Sequence, residues 1–488
     1  MPVKAKKIKN KVKAIGLHGT VPDCRWRKIS GKYLLINDFG NFEYLKPVEF
    51  DKWLNSKLSE KSKIFDGLAE NGFIRNRMDF DKLSSKWRSA NSFLFGSAGL
   101  HILVMTLRCN HACVYCQSSA IDPSKKNTDM SYRTAKASVD FAFKSPNPTI
   151  TIEFQGGEPL LNWDVLKKTI TYARGVEKKT KKNLILALVS NFSLMTKEKA
   201  DFLMENEVSI CASLDGPKNV HNKNRSYLKA SSYDETIKWL KYFNAKHDKQ
   251  NEKYRIFKAS ALLTVSKHSL AYGDEIVNEY VKHGLEDIFI RPLAPIGYAK
   301  KYWDTIGYSA EDFISFYRKS LKHILKLNAK KVIREKTAIM ILDKVFNAHD
   351  PGYLDMRCPC GASIGQIAYN HNGDLYTCDE GRMIGWTGDE IFKTGNVFKD
   401  SYSSIMKSPV TKSCVLSSNL EQQPLCFRCA YKPYCGVCPV YNYESQQSLW
   451  GNMPPNDRCK LFMGIFDTIF ELLAKPKEAA ILRKWVQK

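Results

Sequence analysis

Three cysteines stand in one short run, Cys109-Asn110-His111-Ala112-Cys113-Val114-Tyr115-Cys116, spaced C-x3-C-x2-C. Thiolates in one loop can hold three irons of a cubane cluster and leave the fourth iron without a protein ligand. That open position is what metal catalysis needs, whereas electron-transfer clusters are usually closed by four cysteines. A structural zinc with a distant fourth ligand is the competing reading. Further on comes Gln155-Gly156-Gly157-Glu158-Pro159. Its two glycines let the backbone approach a ligand, and Glu158 can receive an ammonium group. The other cysteines are crowded late in the chain: of 14 in 488 residues, nine lie between Cys358 and Cys459. They read Cys358-Pro359-Cys360, Gly373-x4-Cys378, Cys426-x2-Cys429-x5-Cys435-x2-Cys438, and Cys459. Eight of them supply two four-thiolate sites, for iron–sulfur clusters or for two zincs. Cys24, Cys211 and Cys414 fall outside the pattern and read as free thiols.

The elements around these motifs are legible. Short apolar strands at Ile102–Thr106, Thr149–Phe154, Leu184–Val189, Val208–Ala212, Ala259–Thr264 and Ile288–Arg291 alternate with helical segments such as Ser131–Lys144, Trp163–Glu177 and Thr196–Asn206. Repeated β-then-α units with apolar strands predict a parallel sheet covered by helices, here an open, partial barrel of six units. The cysteine triplet follows the first strand and Gly-Gly-Glu-Pro follows the second. A hairpin over Tyr33–Leu45 and helices near Pro47–Leu58 and Lys63–Glu70 predict a small winged-helix-like module, with a charged connector to about Ser92. Residues 295–350 read as mostly helical and 351–460 as loop-rich. The tail Phe462–Val486 reads as an amphipathic helix broken at Pro476.

Lys+Arg 75 against Asp+Glu 50 gives a net charge of +25, and 43% of residues are hydrophobic. A disordered chain is excluded, and the charge suits anionic partners without naming one. No apolar run reaches the roughly 18–20 residues of a membrane span. Six lysines by Lys13 are followed by no apolar signal core, so the expectation is a cytoplasmic protein with a basic tail over residues 1–16. Cysteines grouped in such a chain point to metal rather than to disulfide staples.

The triplet, Tyr115 before its last cysteine, and Gly156-Gly157-Glu158-Pro159 resemble the radical S-adenosylmethionine (SAM) superfamily in order and strand position. The resemblance implies a [4Fe-4S] cluster on Cys109, Cys113 and Cys116, with SAM on its unique iron. It also implies SAM contacts from Gly156, Gly157, Glu158, Ser190, Asn191, Ser213 and Arg225. The late cysteines resemble the SPASM region of peptide maturases, departing once in the spacing between Cys435 and Cys438. That implies an outer auxiliary cluster on Cys426, Cys429, Cys435 and Cys459. It implies an inner one on Cys360, Cys378 and Cys438, with Cys358 as its fourth ligand or an open site. Asp379, directly after Cys378, is the candidate acid–base residue, with Asp215 its competitor.

Longer strings, among them Glu153–Asn162 and Tyr376–Met383, look most like the B-type radical SAM maturase of His-Xaa-Ser repeat peptide systems. The expected division is 1–92 tail and module, which resembles a leader-recognition element, then 93–295 partial barrel, 296–350 helical connector, 351–465 SPASM region and 466–488 C-terminal helix. The implied substrate is a ribosomally made precursor peptide, and the implied reductant a flavodoxin or ferredoxin. Formylglycine formation, as in sulfatase maturases, is the alternative. A nucleic-acid-binding iron–sulfur protein stands third, because no aromatic-interleaved basic stripe is evident.

Overall fold

The computed structural model describes residues 20–250 and 258–487; the lysine-rich stretch 1–16 lies outside them. The chain divides into two compact units, one ending at Arg88 and the other starting at Ser89.

In the first unit, β1 (Arg25–Ile29), β2 (Lys32–Ile36) and β3 (Phe42–Leu45) form an antiparallel meander, with Arg25 opposite Ile36 and Tyr33 opposite Leu45. Then come α1 (Pro47–Leu54), α2 (Phe65–Glu70) and α3 (Phe80–Ala90). The order is three strands and three helices, where the sequence suggested two of each. β1 gave no strand signal because Arg25, Arg27 and Lys28 mask Trp26, and α3 reads as a connector because Leu83 is its one buried residue. Leu35, Leu45, Phe50, Trp53 and Phe65 form the core, and Trp53 Nε1 donates to the Phe73 carbonyl at 2.8 Å.

The second unit continues with β4 (Leu100–Thr106), β5 (Ala112–Cys113), α4 (Tyr132–Ala142), β6 (Thr149–Gly156), α5 (Trp163–Lys179), β7 (Asn183–Ser190), α6 (Lys197–Glu205), β8 (Val208–Ser213), α7 (Lys218–Asn224), β9 (Arg225–Ser226) and α8 (Ser232–Gln250). After the undescribed 251–257 come β10 (Ser260–Thr264), α9 (Gly273–Lys282), β11 (Asp287–Ile288), β12 (Ile290–Arg291), α10 (Tyr298–Lys301), α11 (Trp303–Ile306), α12 (Ala310–Leu327), β13 (Arg334–Glu335) and α13 (Lys336–Asn347). The C-terminal region holds β14 (Gln366–Tyr369), β15 (Asp374–Tyr376), α14 (Asp379–Trp386), β16 (Lys393–Asn396), α15 (Tyr402–Met406), α16 (Pro409–Ser417), α17 (Pro439–Gln446), α18 (Asp457–Leu473) and α19 (Pro476–Lys484).

One sheet runs in the order β12-β10-β8-β7-β6-β4-β14-β15-β16. Its first six members are the expected parallel strands of a partial α/β barrel. The expected last strand splits: β12 joins β10, while β11 pairs with β13. The larger departure is β14, which lies parallel against β4 with Leu100 opposite Gln366. Only four residues long and buried throughout, it gives no readable period. His101 on β4 and Tyr369 on β14 lock this seam. Nε2–H of the sealed imidazole donates to the Ala98 carbonyl (3.2 Å) and Nδ1 accepts from the Tyr369 hydroxyl (2.8 Å).

On β6, Ile150, Ile152 and Phe154 are buried, while Thr151, Glu153 and Gln155 stay partly accessible. The accessible set continues through Ala187 and Val189 on β7 to Ser209 and Cys211 on β8. This period of two gives the sheet one sealed face and one open, small-residue face. The tail helix begins earlier than expected, because Asn456 caps α18 by accepting the Cys459 N–H at 3.2 Å. The expected boundary at 465/466 therefore falls inside a helix. The break before Pro476 is as expected.

Candidate active site

The first cysteine loop hangs from the end of β4. Gly157 N–H donates to the Thr106 carbonyl and Glu158 N–H to the Arg108 carbonyl, both at 2.8 Å. A Cβ at Gly156 would lie 2.1 Å from the Thr106 oxygen, and one at Gly157 would lie 2.1 Å from the Arg108 oxygen. The glycines thus let two backbones touch. Arg108 holds the stem with bonds to both Asp129 oxygens (2.8 and 2.6 Å) and to the Pro123 carbonyl (2.7 Å). Sequence reasoning missed it, since a lone arginine before a cysteine carries no spacing signal. Farther along, β5 pairs antiparallel with β9, setting Cys113 opposite Arg225. Tyr298 N–H then takes the Cys116 carbonyl at 3.0 Å. Backbone N–H groups of His111 and Ala120 point at the sulfurs of Cys109 (3.4 Å) and Cys116 (3.5 Å). Burial pushes all three thiols up, Cys113 to about 12. Ionisation here needs a cation, and a coordinated metal deprotonates a thiol outright.

Glu158 is enclosed and fully engaged. Its carboxylate accepts from Leu160 N (3.0 Å), Ser190 Oγ (2.9 Å) and Asn191 N (2.9 Å). Through these bonds it organises the β7 end. Asn191 Nδ2 reaches Asn110 Oδ1 (3.1 Å) and Cys109 Sγ (3.8 Å). Ser213 ends β8, buried beside Leu262. Asp215 has no exposed surface: Tyr115 OH and the Arg225 guanidinium (3.2 Å) meet Oδ2, and Thr264 N–H (3.4 Å) meets Oδ1. It holds Tyr115 and Arg225 in place. The Arg225–Asp215 contact is an ion pair without hydrogen-bond geometry at Nε. Arg225 Nε and Asn224 Nδ2 are both buried without a partner. Asn224 Nδ2, at the end of α7, is an orphaned donor next to the Arg225 guanidinium, and the two together fit a carboxylate-bearing ligand.

The late cysteines fall into two groups. Cys360, Cys378 and Cys438 share one core with Cys414, and their thiols act on one another. Cys378 and Cys438 are helix N-caps, their sulfurs accepting N–H from Gly381 (3.3 Å) and Tyr441 (3.4 Å). Helix N-termini favour thiolates. Cys414 was expected apart from these sites, yet it bonds Thr377, whose hydroxyl meets Cys378 Sγ at 3.8 Å. The second group packs Cys426, Cys435 and Cys459 around Leu420, Val437 and Met453, with Cys429 acting on all three thiols. Cys358, expected with the inner set, packs beside this group and acts on Cys426. Turned into the Leu420 N–H at 3.3 Å, its sulfur parts from that of Cys360, which lies in the other core. Beside the group, buried Lys344 donates to the Met356 (2.6 Å) and Tyr434 (3.1 Å) carbonyls. Burial pushes it down to about 8, and Cys435 is the first group to oppose that. A buried cation set among cysteines fits thiolates. All fourteen cysteines are outside disulfides. Among the described residues, no three His, Cys, Asp or Glu side chains converge closely enough for a single metal ion.

The inner group faces the open side of the sheet. Asp379 Oδ1 accepts from Arg382 Nε (3.0 Å) and a terminal nitrogen (2.8 Å), which also meets Ser118 Oγ (3.3 Å) in the first cysteine loop. Glu153 was not singled out by the sequence, although it lies on β6, the strand that leads into Gly-Gly-Glu-Pro. Its carboxylate takes Gln155 Nε2 at 2.7 Å. Burial, then the charge of Asp379, pushes it up to about 7. A cavity of about 60 Å³ borders Cys438, Asp355, Glu380, Arg291, Arg458 and Gln117.

Residues 103–251 match the family described as the Radical SAM superfamily, and that stretch is a radical SAM domain. The cysteine-type anaerobic sulfatase-maturating enzyme of Clostridium novyi is 24% identical over 371 residues, 74% of this chain and 91% of that protein. The radical SAM cyclopropyl synthase TigE of Paramaledivibacter caminithermalis is 23% identical over 361 residues, 71% of this chain and 69% of that one. Streptococcus suis SuiB, solved bound to the precursor peptide SuiA, shares the fold with a TM-score of 0.53 at 15% identity, covering 90% of this chain and 99% of SuiB. Among the described residues no helix is long and apolar enough to cross a membrane.

Proposed function

We propose that this radical SAM enzyme modifies, by cross-linking, side chains of a ribosomally made precursor peptide, as the B-type maturase of a His-Xaa-Ser repeat system. The observation that carries the reading is Arg382, which reaches from Asp379, next to Cys378, to Ser118, next to the first cysteine loop. One buried guanidinium thus joins two thiol groups, as a site needs when hydrogen removal and oxidation happen in one place. The precursor peptide bound by SuiB, whose fold this chain shares, supports a peptide substrate.

Cys109, Cys113 and Cys116 would hold a [4Fe-4S] cluster, and Arg225 with Asn224 would receive the SAM carboxylate. When bound and reduced by one electron, from a flavodoxin- or ferredoxin-type donor, the cluster and SAM supply a 5′-deoxyadenosyl radical. Cys426, Cys429, Cys435 and Cys459 would hold an outer auxiliary cluster, and Cys360, Cys378 and Cys438 an inner one. The chain's own groups do the rest. Glu158 fixes Ser190 and Asn191 at the β7 end, Asp215 holds Arg225 and Tyr115, and Asp379 takes the proton the peptide loses, with Arg382 holding its carboxylate in place. The first unit captures the peptide leader as an added strand.

The test incubates reduced enzyme and SAM with a repeat-bearing precursor peptide and reads the product by mass. A loss of about two mass units with a linked fragment pair is expected. Formylglycine in the fragments would replace this reading with sulfatase-type maturation, and an unchanged peptide would remove both.

A further inference from the structure

A closed ring of side-chain hydrogen bonds lies beside the first cysteine. Asn110 Nδ2 donates to Ser193 Oγ (2.7 Å), Ser193 Oγ donates to Asn191 Oδ1 (2.7 Å), and Asn191 Nδ2 donates to Asn110 Oδ1 (3.1 Å). The Ser193 backbone N–H also donates to Asn191 Oδ1 (3.0 Å); an amide oxygen only accepts, so this bond and the ring together fix the orientation of both asparagines. The remaining Asn191 N–H meets Cys109 Sγ, 3.8 Å from the nitrogen.

A second chain of bonds reaches the same ring from Asp215. Its backbone N–H donates to His221 Nδ1 (3.2 Å), which leaves the imidazole proton on Nε2. Nε2–H donates to Ser232 Oγ (2.9 Å), and the Ser232 hydroxyl is then directed to His111 Nε2 (2.9 Å). That puts the His111 proton on Nδ1, facing Asn110 Oδ1 at 3.3 Å. His111 lies flat against Tyr227, ring centroids 4.5 Å apart. Ser232, His221 and His111 are all buried, so water does not compete for these bonds.

We propose that the relay His221–Ser232–His111–Asn110 positions the Asn191 N–H on the Cys109 sulfur, and that this bond raises the reduction potential of the cluster held there. The inference rests on the reading of Cys109, Cys113 and Cys116 as ligands of a SAM-binding [4Fe-4S] cluster. An N–H bond to a ligating thiolate stabilises its negative charge, and so favours the reduced, more negative cluster. Asn191 is then a positioning residue for the cluster rather than a contact to SAM.

The experiment is an EPR-monitored redox titration of the anaerobically reconstituted full chain, with SAM affinity measured alongside. Ser232→Ala and Asn191→Leu are expected to shift the midpoint potential of the SAM-binding cluster to more negative values. Ser232→Thr, which keeps the hydroxyl, is expected to hold the wild-type value. SAM affinity should change by less than about twofold in all three. An unmoved potential in both Ser232→Ala and Asn191→Leu overturns the inference, as does loss of SAM affinity by Asn191→Leu with the potential unchanged. Should Ser232→Ala not fold, Asn191→Leu alone decides by the same two readouts. A wild-type chain that binds no iron through the three cysteines overturns the site reading, and this inference with it; a loaded cluster with an insensitive potential overturns this inference alone.

Discussion

Asp379 and Glu153 act on one another across the open face of the sheet, and they differ in what holds them. Asp379 is bound by Arg382, while Glu153 has the neutral amide of Gln155. Asp379→Asn keeps the shape and removes the base. It is expected to leave 5′-deoxyadenosine formation intact and to cut peptide product about 10²–10⁴-fold, read by mass with all iron present. Glu153 gives a pH signature. Its carboxyl is raised from 4.5 to about 7, by burial first, so the folded protein binds more protons than the unfolded one between those values. Stability therefore falls as pH rises through that window, and the penalty is complete above it. Glu153→Gln should raise the melting temperature more at pH 8 than at pH 5; equal shifts at both would show that Glu153 ionises as it does in the unfolded chain.

The β6 turn and the first unit carry the predictions at the scale of elements. Gly157→Ala would drive a Cβ into the Arg108 carbonyl. Separating β6 from the stem of the cysteine loop is expected to cost about 1–3 kcal/mol, and to lower iron content, measured by denaturation and metal analysis. Removing residues 1–88, the first unit, should leave SAM cleavage intact and abolish peptide modification. A truncated chain that modifies full-length peptide at the wild-type rate would take leader capture away from this unit. The six parallel strands and the triplet were legible because apolar runs such as Ile102–Thr106 and spaced cysteines are local signals. β14 was not, because four buried residues owe their strand state to β4, far away in sequence. The surroundings of Cys358 were hidden for a related reason. Spacing tied it to Cys360, but a sulfur's direction depends on Leu420 and the loops around it, which no spacing records. Glu158 stood out by its motif, while the three donors that hold its carboxylate show only in the structure.

Across the whole molecule, three thiol groups predict about twelve irons per reconstituted chain, and replacing Cys109, Cys113 and Cys116 together by Ala should remove about four. Zinc in place of the remaining iron would refute the auxiliary clusters. The sheet that carries these groups is closed by its last-made part. β4, buried along nearly its whole length, finds one neighbour in β6 soon after it is made and the other only in β14. While the ribosome is still translating the intervening helices, this apolar strand has a bare edge, the kind that templates aggregation. Synthesis of this enzyme thus carries a long interval in which the cysteine loop after β4 has been made but its supporting sheet is unfinished. The yield of active protein in a cell will depend on how well nascent chains are shielded during that interval, as well as on the supply of iron and sulfide.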